Sequence, residues 1–399
     1  MQRSECSIPG VGADLFLTEM REHGFDFFTG VPCSFLQPLI NEVIASDEVS
    51  FVIATSEGEA GGIAAGAWLG GKRPVVLLQN SGLGNLVNPI TSLNHTFKIT
   101  SLLIVTWRGQ PGLADEPQHE LMGQLTHSLL ELLRIPFAEF PRDNLARNLL
   151  LKKACEHMDA TGLPFAIIVR KDDLSGHATI VGPSLPRQIA SSITRKHCGD
   201  PYLTRYDALS AIDQLIPADT AVVATTGKTG RELFTVADRD RNLYVVGSMG
   251  CASAIGLGLA MTMDRKVLVI DGDGAALMKL GNLATIGAKR PRRFAHILLD
   301  NGVHDSTGGQ ATSSATIDFA GIAAAAGYQR VASFDNVATL NELLRSSWMD
   351  GPSFLHLRIA AGSPHKLGRP SVQLRSPDDL ETSSGERSAR HCKLINGVF

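Results

Sequence analysis

"VIDGDGAALMKLGNLATIGAKRPRRFAHILLDNGVHDSTGG" (269–309) holds two apolar runs, and each stops at a polar residue beside glycine. The first ends in Gly272-Asp273-Gly274 and the second in Asp300-Asn301-Gly302. Short continuous apolar runs read as strands buried on both faces. Between them "AALMKLGNLATIGAKR" (275–290) reads as one helix. Strand, helix and strand make a parallel unit of about 30 residues, and Asp273 and Asn301 lie 301 − 273 = 28 positions apart. The spacing predicts that the two polar ends are neighbours at the carboxyl ends of adjacent strands, where open α/β sheets bind ligands. A helix N-terminus follows Asp273 and favours an anion such as a phosphate. One carboxylate, one amide oxygen and a backbone carbonyl, completed by phosphate oxygens, make a hard oxygen site suited to Mg2+. The same residues also read as a turn aspartate and a capping asparagine, and spacing alone leaves both readings open.

The pattern repeats along the chain. Apolar runs recur at 25–30, 50–55, 74–80, 100–107 and 164–170, then at 221–227, 242–248, 266–274, 294–301 and 352–359, separated by helix-length segments. Strand alternating with helix predicts parallel sheets covered by helices on both faces. The polar stretch 171–202, with its Pro, Gly and Ser, reads as a linker. Two α/β domains are therefore expected, 1–170 and 203–362, followed by a polar C-terminal tail, 363–399. Both halves carry segments crowded with small residues, "GEAGGIAAGAWLGG" (58–71) and "SMGCASAIGLGLA" (248–260). Gly and Ala suit places where two backbones approach closely, either between subunits or within one chain.

Bulk properties remove several classes. A net charge of −3 gives no support to nucleic-acid binding. The N-terminus lacks the basic-then-apolar layout of a signal peptide, and no run reaches the ~18 uncharged apolar residues of a membrane span. The six cysteines show no Cys-x-x-Cys spacing, so reduced thiols in a cytoplasmic protein are expected. Two glycine motifs fail on inspection. "TTGKTG" (225–230) ends in Gly-Lys-Thr, but a P-loop needs glycine where Val222 stands. "NSGLGNLV" (80–87) has Gly82 and Gly84, but Val87 stands where the dinucleotide fingerprint needs its third glycine.

The Gly272-Asp273-Gly274 motif with Asn301 resembles the metal and diphosphate motif of thiamine-diphosphate enzymes, and the resemblance extends over roughly 10–362. It implies that Asp273 and Asn301 ligate Mg2+ with the backbone carbonyl of Val303, and that Gly272, Gly274, Ala275 and Asn301 hold the diphosphate. "SEGEAGGIAAGAWLGGKRPVV" resembles the segment with the cofactor-activating glutamate, which falls on Glu57. That carboxyl needs a dry pocket. "VGSMGCASAIGLGLA" resembles the pyrimidine clamp, with Met249 as the wedge and the backbone of Gly247 and Met249 bonding the ring. The two halves become a pyrimidine-binding and a diphosphate-binding domain, with no middle domain. A homo-oligomer with the cofactor between subunits is implied.

Within the superfamily, "TGVPCSFLQPLI", "QNSGLGNLVNPITSL", "RGQPGLADEPQH", "ATTGKTGRELF" and "LLDNGVHDSTGGQAT" resemble the phosphonopyruvate and sulfopyruvate decarboxylases, and His304-Asp305 favours the phosphonate branch. The implied substrate is a small 2-oxo acid with a phosphonate group. A phosphonate and a carboxylate need convergent donors. His304, His119 and Arg108 are the candidates for catalysis and substrate binding, with His95, Lys228 and Arg231 behind them. His365, Lys366 and Arg369 form a basic patch that either closes over the phosphonate or is solvated. A cofactor-binding but silent subunit and a nicotinamide oxidoreductase are the rival classes. Intact Glu57, Asp273 and Asn301 oppose the first, and the failed fingerprint opposes the second.

Overall fold

The computed structural model describes residues 10–176, 192–199, 201–346, 348 and 351–370. The first half runs β1 (Val11–Gly12), α1 (Ala13–Glu22), β2 (Phe25–Gly30), α2 (Gln37–Ala45), β3 (Ser50–Ile53), α3 (Glu57–Leu69), β4 (Arg73–Gln79), α4 (Leu83–Pro89), α5 (His95–Phe97), β5 (Leu102–Thr106), α6 (Glu120–Leu132), β6 (Phe137–Glu139), α7 (Asn144–Thr161), β7 (Phe165–Val169) and β8 (Leu174–Ser175). The second runs β9 (Ile193–Lys196), α8 (Arg205–Leu215), β10 (Ala221–Ala224), α9 (Lys228–Val236), β11 (Asn242–Tyr244), α10 (Ala252–Thr262), β12 (Val267–Gly272), α11 (Asp273–Met278), α12 (Asn282–Lys289), β13 (Phe294–Asp300), β14 (Val303–His304), β15 (Gln310–Ala311), α13 (Phe319–Ala326), β16 (Arg330–Phe334), α14 (Val337–Ser346) and β17 (Ser353–Arg358).

Two large sheets result, in strand orders β3-β2-β4-β5-β7-β6 and β11-β10-β12-β13-β17-β16-β9. All pairings within them are parallel. The continuous apolar runs find their reason in β4. Val75 and Leu77 pack with α1, α2 and α7, while Val76 and Leu78 pack on the other face with α3. Burying each such side chain contributes roughly 1.5–3 kcal/mol.

All ten runs contain a strand. β1, β6, β8, β9, β14, β15 and β16 were not expected, and β8 and β9 correct the linker assignment. Within 171–202, Leu174–Ser175 pairs with Val11–Gly12, and Ile193–Lys196 forms the outer strand beside β16. "ITRK" pairs along one edge only and is half exposed, so it carries no buried run to betray it. Residues 177–191 and 200 of the expected linker lie outside the described residues.

The small-residue segments pack on each other within one chain. A Cβ on Gly66 of α3 would lie 2.0 Å from the Ile255 carbonyl oxygen of α10, and one on Gly258 would lie 2.1 Å from the Ile63 oxygen. Only glycine lets these backbones touch. One apolar cluster thus runs from Val76 and Val105 through Ile63 and Ile255 to Val269 and Leu298, joining the two domains. Of the tail, residues 363–370 are described, and they lie along α9. Ser363 Oγ donates to Glu232 at 2.7 Å, Arg231 donates to the carbonyls of Leu367 and Gly368, and Gly368 N donates to Thr235.

Candidate active site

β12 and β13 pair in register up to Gly272 and Leu299, so Asp273 and Asn301 emerge side by side as the spacing required. Asp273 opens α11 and is buried, 3% exposed. Its Oδ2 accepts a short hydrogen bond from Thr312 Oγ1. Burial pushes its carboxyl up from the ordinary range; the Thr312 bond opposes this, and the neighbouring Asp300 adds to the rise. A desolvated carboxylate beside a second one is a seat short of positive charge, which a divalent cation would supply. Among the described residues, no group of three or more His, Cys, Asp or Glu side chains is placed to hold a metal ion. A cation here must use mixed oxygen donors, and the surroundings supply them: the Asp273 carboxylate, the Asn301 amide oxygen and a main-chain carbonyl. These residues fit Mg2+.

After Asn301 the chain folds back as the hairpin β14–β15, with Val303 opposite Ala311 and His304 opposite Gln310. Asn301 Nδ2 donates to Asp305 at 2.7 Å, and Val303 N donates to Asn301 Oδ1 at 3.2 Å. The hairpin brings His304 over Gly274. A Cβ there would lie 2.6 Å from His304 Cε1 and 3.5 Å from Met249 Cε. Gly274, Met249 and His304 therefore form one wall. Ala275 is buried in the first turn of α11 beside them.

Gly247 and Met249 sit on the turn before α10. Ser248 holds a left-handed φ of 50° there, followed by Gly250 at 89°. The turn presses on the first domain of the same chain. Ser248 Oγ and Ser92 Oγ are 2.7 Å apart, and a Cβ on Gly247 would lie 2.5 Å from Ser92 Cβ. Cys251 Sγ meets the Gly58 carbonyl at 3.6 Å, and Lys279 Nζ would stand 2.5 Å from a Cβ on Gly58. The first turn of α3, which begins with Glu57, thus packs close to the turn that carries Gly247 and Met249 within one chain.

Ser56 caps α3 by accepting from Glu59 N. Glu57 is 9% exposed, and its Oε2 accepts from Asn85 Nδ2 at 2.7 Å. Its Oε1 lies against Gly82, where a Cβ would be 2.4 Å away. Glu59 is fully buried and turns back, with Oε2 accepting from Thr55 N and Thr55 Oγ1. The two glutamates point differently: Glu57 keeps some exposure and reaches toward Asn85, while Glu59 is buried against Thr55 with its Oε1 unpartnered.

Arg108 lies on the loop after β5 and does not offer a free fork. Nε and Nη2 bind Asp115 at 2.8 and 2.5 Å, Nη1 donates to Ser34 at 3.2 Å, and the guanidinium covers Phe35. The Arg108 bond holds the Asp115 carboxyl far below the usual range. Asp115 also accepts from Gly109 N, so the pair buckles its own loop, and the Arg108 fork is already engaged. His119 is buried where this loop enters α6. Its carbonyl leaves no room for a side chain on Gly109, 2.0 Å being the distance to a Cβ there. Asn80 Nδ2 donates to the Arg108 carbonyl, so the loop adjoins the turn that carries Gly82 and meets Glu57. Arg231 is committed to the 363–370 strap, and His365, Lys366 and Arg369 are exposed. Asn85, Ser92, Thr312 and Lys279 escaped the sequence reading, because each acquires its role from a distant partner.

Comparison with known proteins places the chain in a family. The profile "Thiamine pyrophosphate enzyme, N-terminal TPP binding domain" matches residues 11–130, and its C-terminal TPP-binding counterpart matches 226–357. A phosphonopyruvate decarboxylase of Streptomyces viridochromogenes is 41% identical over 366 residues, covering 91% of this chain and 92% of that protein. A sulfopyruvate decarboxylase of Methanosarcina acetivorans is 30% identical over 357 residues, covering 86% and 90%. The fold of a thiamine diphosphate-dependent 4-hydroxybenzoylformate decarboxylase from Rhodococcus jostii RHA1 superposes with a TM-score of 0.67 at 12% identity, over 89% of this chain and all of that one. Both thiamine-diphosphate domains are thus present without a middle domain, and the chain belongs to the thiamine-diphosphate-dependent decarboxylases, in the group that contains the phosphonopyruvate and sulfopyruvate enzymes.

Proposed function

We propose that the chain converts 3-phosphonopyruvate to phosphonoacetaldehyde and CO2, with thiamine diphosphate and Mg2+ held between α3 and the β12–β13 edge. The observation that carries this is the 41% identity over almost the whole of a phosphonopyruvate decarboxylase, on a chain that carries Glu57, Asp273 and Asn301 at the positions the family resemblance requires. Asp273, Asn301 and the Val303 carbonyl would hold the metal, Gly272, Gly274 and Ala275 the diphosphate, and Gly247 and Met249 the pyrimidine. When bound, thiamine diphosphate supplies the carbon nucleophile and an electron sink for the pair that CO2 leaves behind.

The residues do the rest. Glu57 exchanges a proton through Oε1, while Asn85 fixes Oε2. Met249 and His304 shut water from the wall above Gly274. His304 adjoins Met249 over Gly274 with no hydrogen bond to its ring among the described residues, so it is free to donate to the substrate. Arg108 enters as an ion pair with Asp115, its Nη1 donating to Ser34, which leaves His304 as the main group in contact with the phosphonate. His119 lines the adjoining loop.

A homo-oligomer belongs to the same reading, supported by Leu121, Leu125 and Leu132, which stand 66%, 46% and 78% exposed on α6. Among the described residues no helix is long and apolar enough to cross a membrane. The free thiols of Cys33, Cys155, Cys198 and Cys251 fit a reducing, cytoplasmic setting.

Aldehyde release from phosphonopyruvate, sulfopyruvate and pyruvate, measured side by side, tests the assignment. A phosphonate can carry one more charge than a sulfonate, and a charge-assisted hydrogen bond contributes ~1.5–3 kcal/mol. Losing part of one lowers kcat/KM by roughly tenfold. Phosphonopyruvate is expected to lead by that factor, with pyruvate far behind. Equal kcat/KM for the first two at pH 7.5 refutes the assignment and favours sulfopyruvate.

A further inference from the structure

Beyond the residues already assigned, a line of buried charge runs behind the metal seat. Asn301 Nδ2 donates to Asp305 Oδ2 at 2.7 Å. Arg205 Nη2 donates to the same oxygen at 2.5 Å, and its Nη1 reaches Glu232 Oε1 at 2.8 Å. Ser363 Oγ also donates to Glu232 Oε1, at 2.7 Å. The Arg205 side chain is 6% exposed, that of Glu232 is fully buried and that of Asp305 is 12% exposed. Each end of the line rests on a regular element. Arg205 is the first residue of α8, whose start is locked by a capping box between Thr204 and Asp207, and Glu232 lies in α9.

An asparagine amide is nearly symmetric in shape, and either its oxygen or its nitrogen can face a given neighbour. An ionised carboxylate only accepts. Asp305 therefore selects the rotamer of Asn301 in which Nδ2 points to it and Oδ1 points the other way, a choice that Val303 N reinforces by donating to Oδ1 at 3.2 Å. Turned over, Asn301 would set oxygen against oxygen behind it and offer NH2 to a cation. Arg205, held by Glu232, keeps Asp305 from swinging. Two carboxylates to one guanidinium also leave this line with one net negative charge beside the seat, which favours a divalent ion.

We propose that Asp305 is a positioning residue for the metal, fixing the Asn301 amide with its oxygen toward Mg2+, and that Arg205 and Glu232 brace Asp305. The inference rests on the metal seat of the proposed function. Outer partners of this kind typically change metal affinity by about 10–100-fold when removed. Mg2+ demands near-ideal octahedral geometry, whereas Ca2+ tolerates irregular ligands. A loosened Asn301 must therefore harm Mg2+ more than Ca2+, while general damage to the fold lowers both together.

The test is calorimetric titration of MgCl2 and CaCl2 into the full chain, freed of metal and saturated with thiamine diphosphate. Wild type, Asp305→Ala and Asp273→Ala are compared. Asp305→Leu, close in volume and unable to accept, replaces the alanine variant if that one does not fold. Asp305→Ala is expected to weaken Mg2+ by roughly tenfold or more and to lower the Mg2+ to Ca2+ affinity ratio by about threefold or more. A wild-type ratio in the Asp305 variant, with binding lost in Asp273→Ala, overturns the positioning role and leaves the metal seat standing. Wild-type Mg2+ binding in Asp273→Ala overturns the seat itself, and this inference with it.

Discussion

Replacing Gly66 by alanine tests whether the two domains are joined as described. Its Cβ would lie 2.0 Å from the Ile255 carbonyl oxygen, 2.9 Å from the Ile255 carbonyl carbon and 2.9 Å from Leu259 N. Ordinary contacts begin at 3.4 Å, so the first is short by 3.4 − 2.0 = 1.4 Å. All three atoms are main chain, so no side-chain rotation relieves the clash, and α3 must back away from α10. Overpacking of this kind costs about 1–3 kcal/mol. The helix preference for alanine over glycine returns ~0.5–1 kcal/mol. The net effect is destabilising by about 1–2 kcal/mol. Gly84 is the internal comparison. It lies in α4 with nothing within 4 Å of its would-be Cβ, so Gly84→Ala keeps only the favourable helix term. Thermal melts should therefore shift in opposite directions, at roughly 2–4 °C per kcal/mol for domains of this size. Thiamine diphosphate affinity should fall in Gly66→Ala as well, because α3 carries Glu57. An unchanged melt for Gly66→Ala would refute the close approach of the two helices.

Glu57→Gln should abolish turnover and slow proton exchange at C2 of bound cofactor, measured by NMR, whereas Glu59→Gln should leave that exchange close to wild type; the reverse pattern would exchange their roles. Burial pushes the Cys251 thiol up to about 11, so at pH 8 only about one molecule in a thousand carries the reactive thiolate. Iodoacetamide should then label the exposed Cys198 and spare Cys251, and peptide mapping that finds both labelled equally fast would contradict the buried site. Burial works to raise the Asp300 carboxyl, but the hydrogen bond and charge of His356 outweigh it and leave the group below the ordinary range. A lowered folded-state value stabilises above the ordinary carboxylate pKa and is lost as pH falls through the lowered one. The difference in Tm between wild type and His356→Leu should be wide at pH 6 and shrink toward pH 2.5, and a constant gap would show that the pair carries no linkage.

What the sequence made legible was whatever depends on neighbours along the chain. The β12–β13 edge follows from two apolar runs and a count of 28 residues, and the direction of Glu57 follows from helical geometry. Long-range contacts were not legible. The segment 275–290 reads as one helix, yet it breaks after Met278 and restarts at Asn282. The break accompanies an approach to the first domain: a Cβ on Gly281 would lie 2.4 Å from Thr55 Oγ1, and Lys279 turns out over Gly58. No local periodicity records that meeting. β9 was hidden for the opposite reason, since a half-exposed edge strand has no buried face to leave in the sequence.

Arg108 shows how this limit reaches the chemistry. A cation at the mouth of a strand is what an anionic substrate needs, and residue type and position both point to it. The partner that changes its meaning, Asp115, stands seven positions on, in a loop with no regular period. With both carboxylate oxygens on the guanidinium, the pair is close to neutral, and an incoming phosphonate would compete with a bidentate carboxylate already in place. His304 makes no such bond among the described residues and adjoins Met249 over Gly274. Substrate charge is thus better met from the second domain, on the hairpin that also carries Asn301 and Val303. On the proposed assignment, a shift of that hairpin would change metal geometry and substrate contact together, so its bracing by Asp305 and by Thr312 on Asp273 would matter to both.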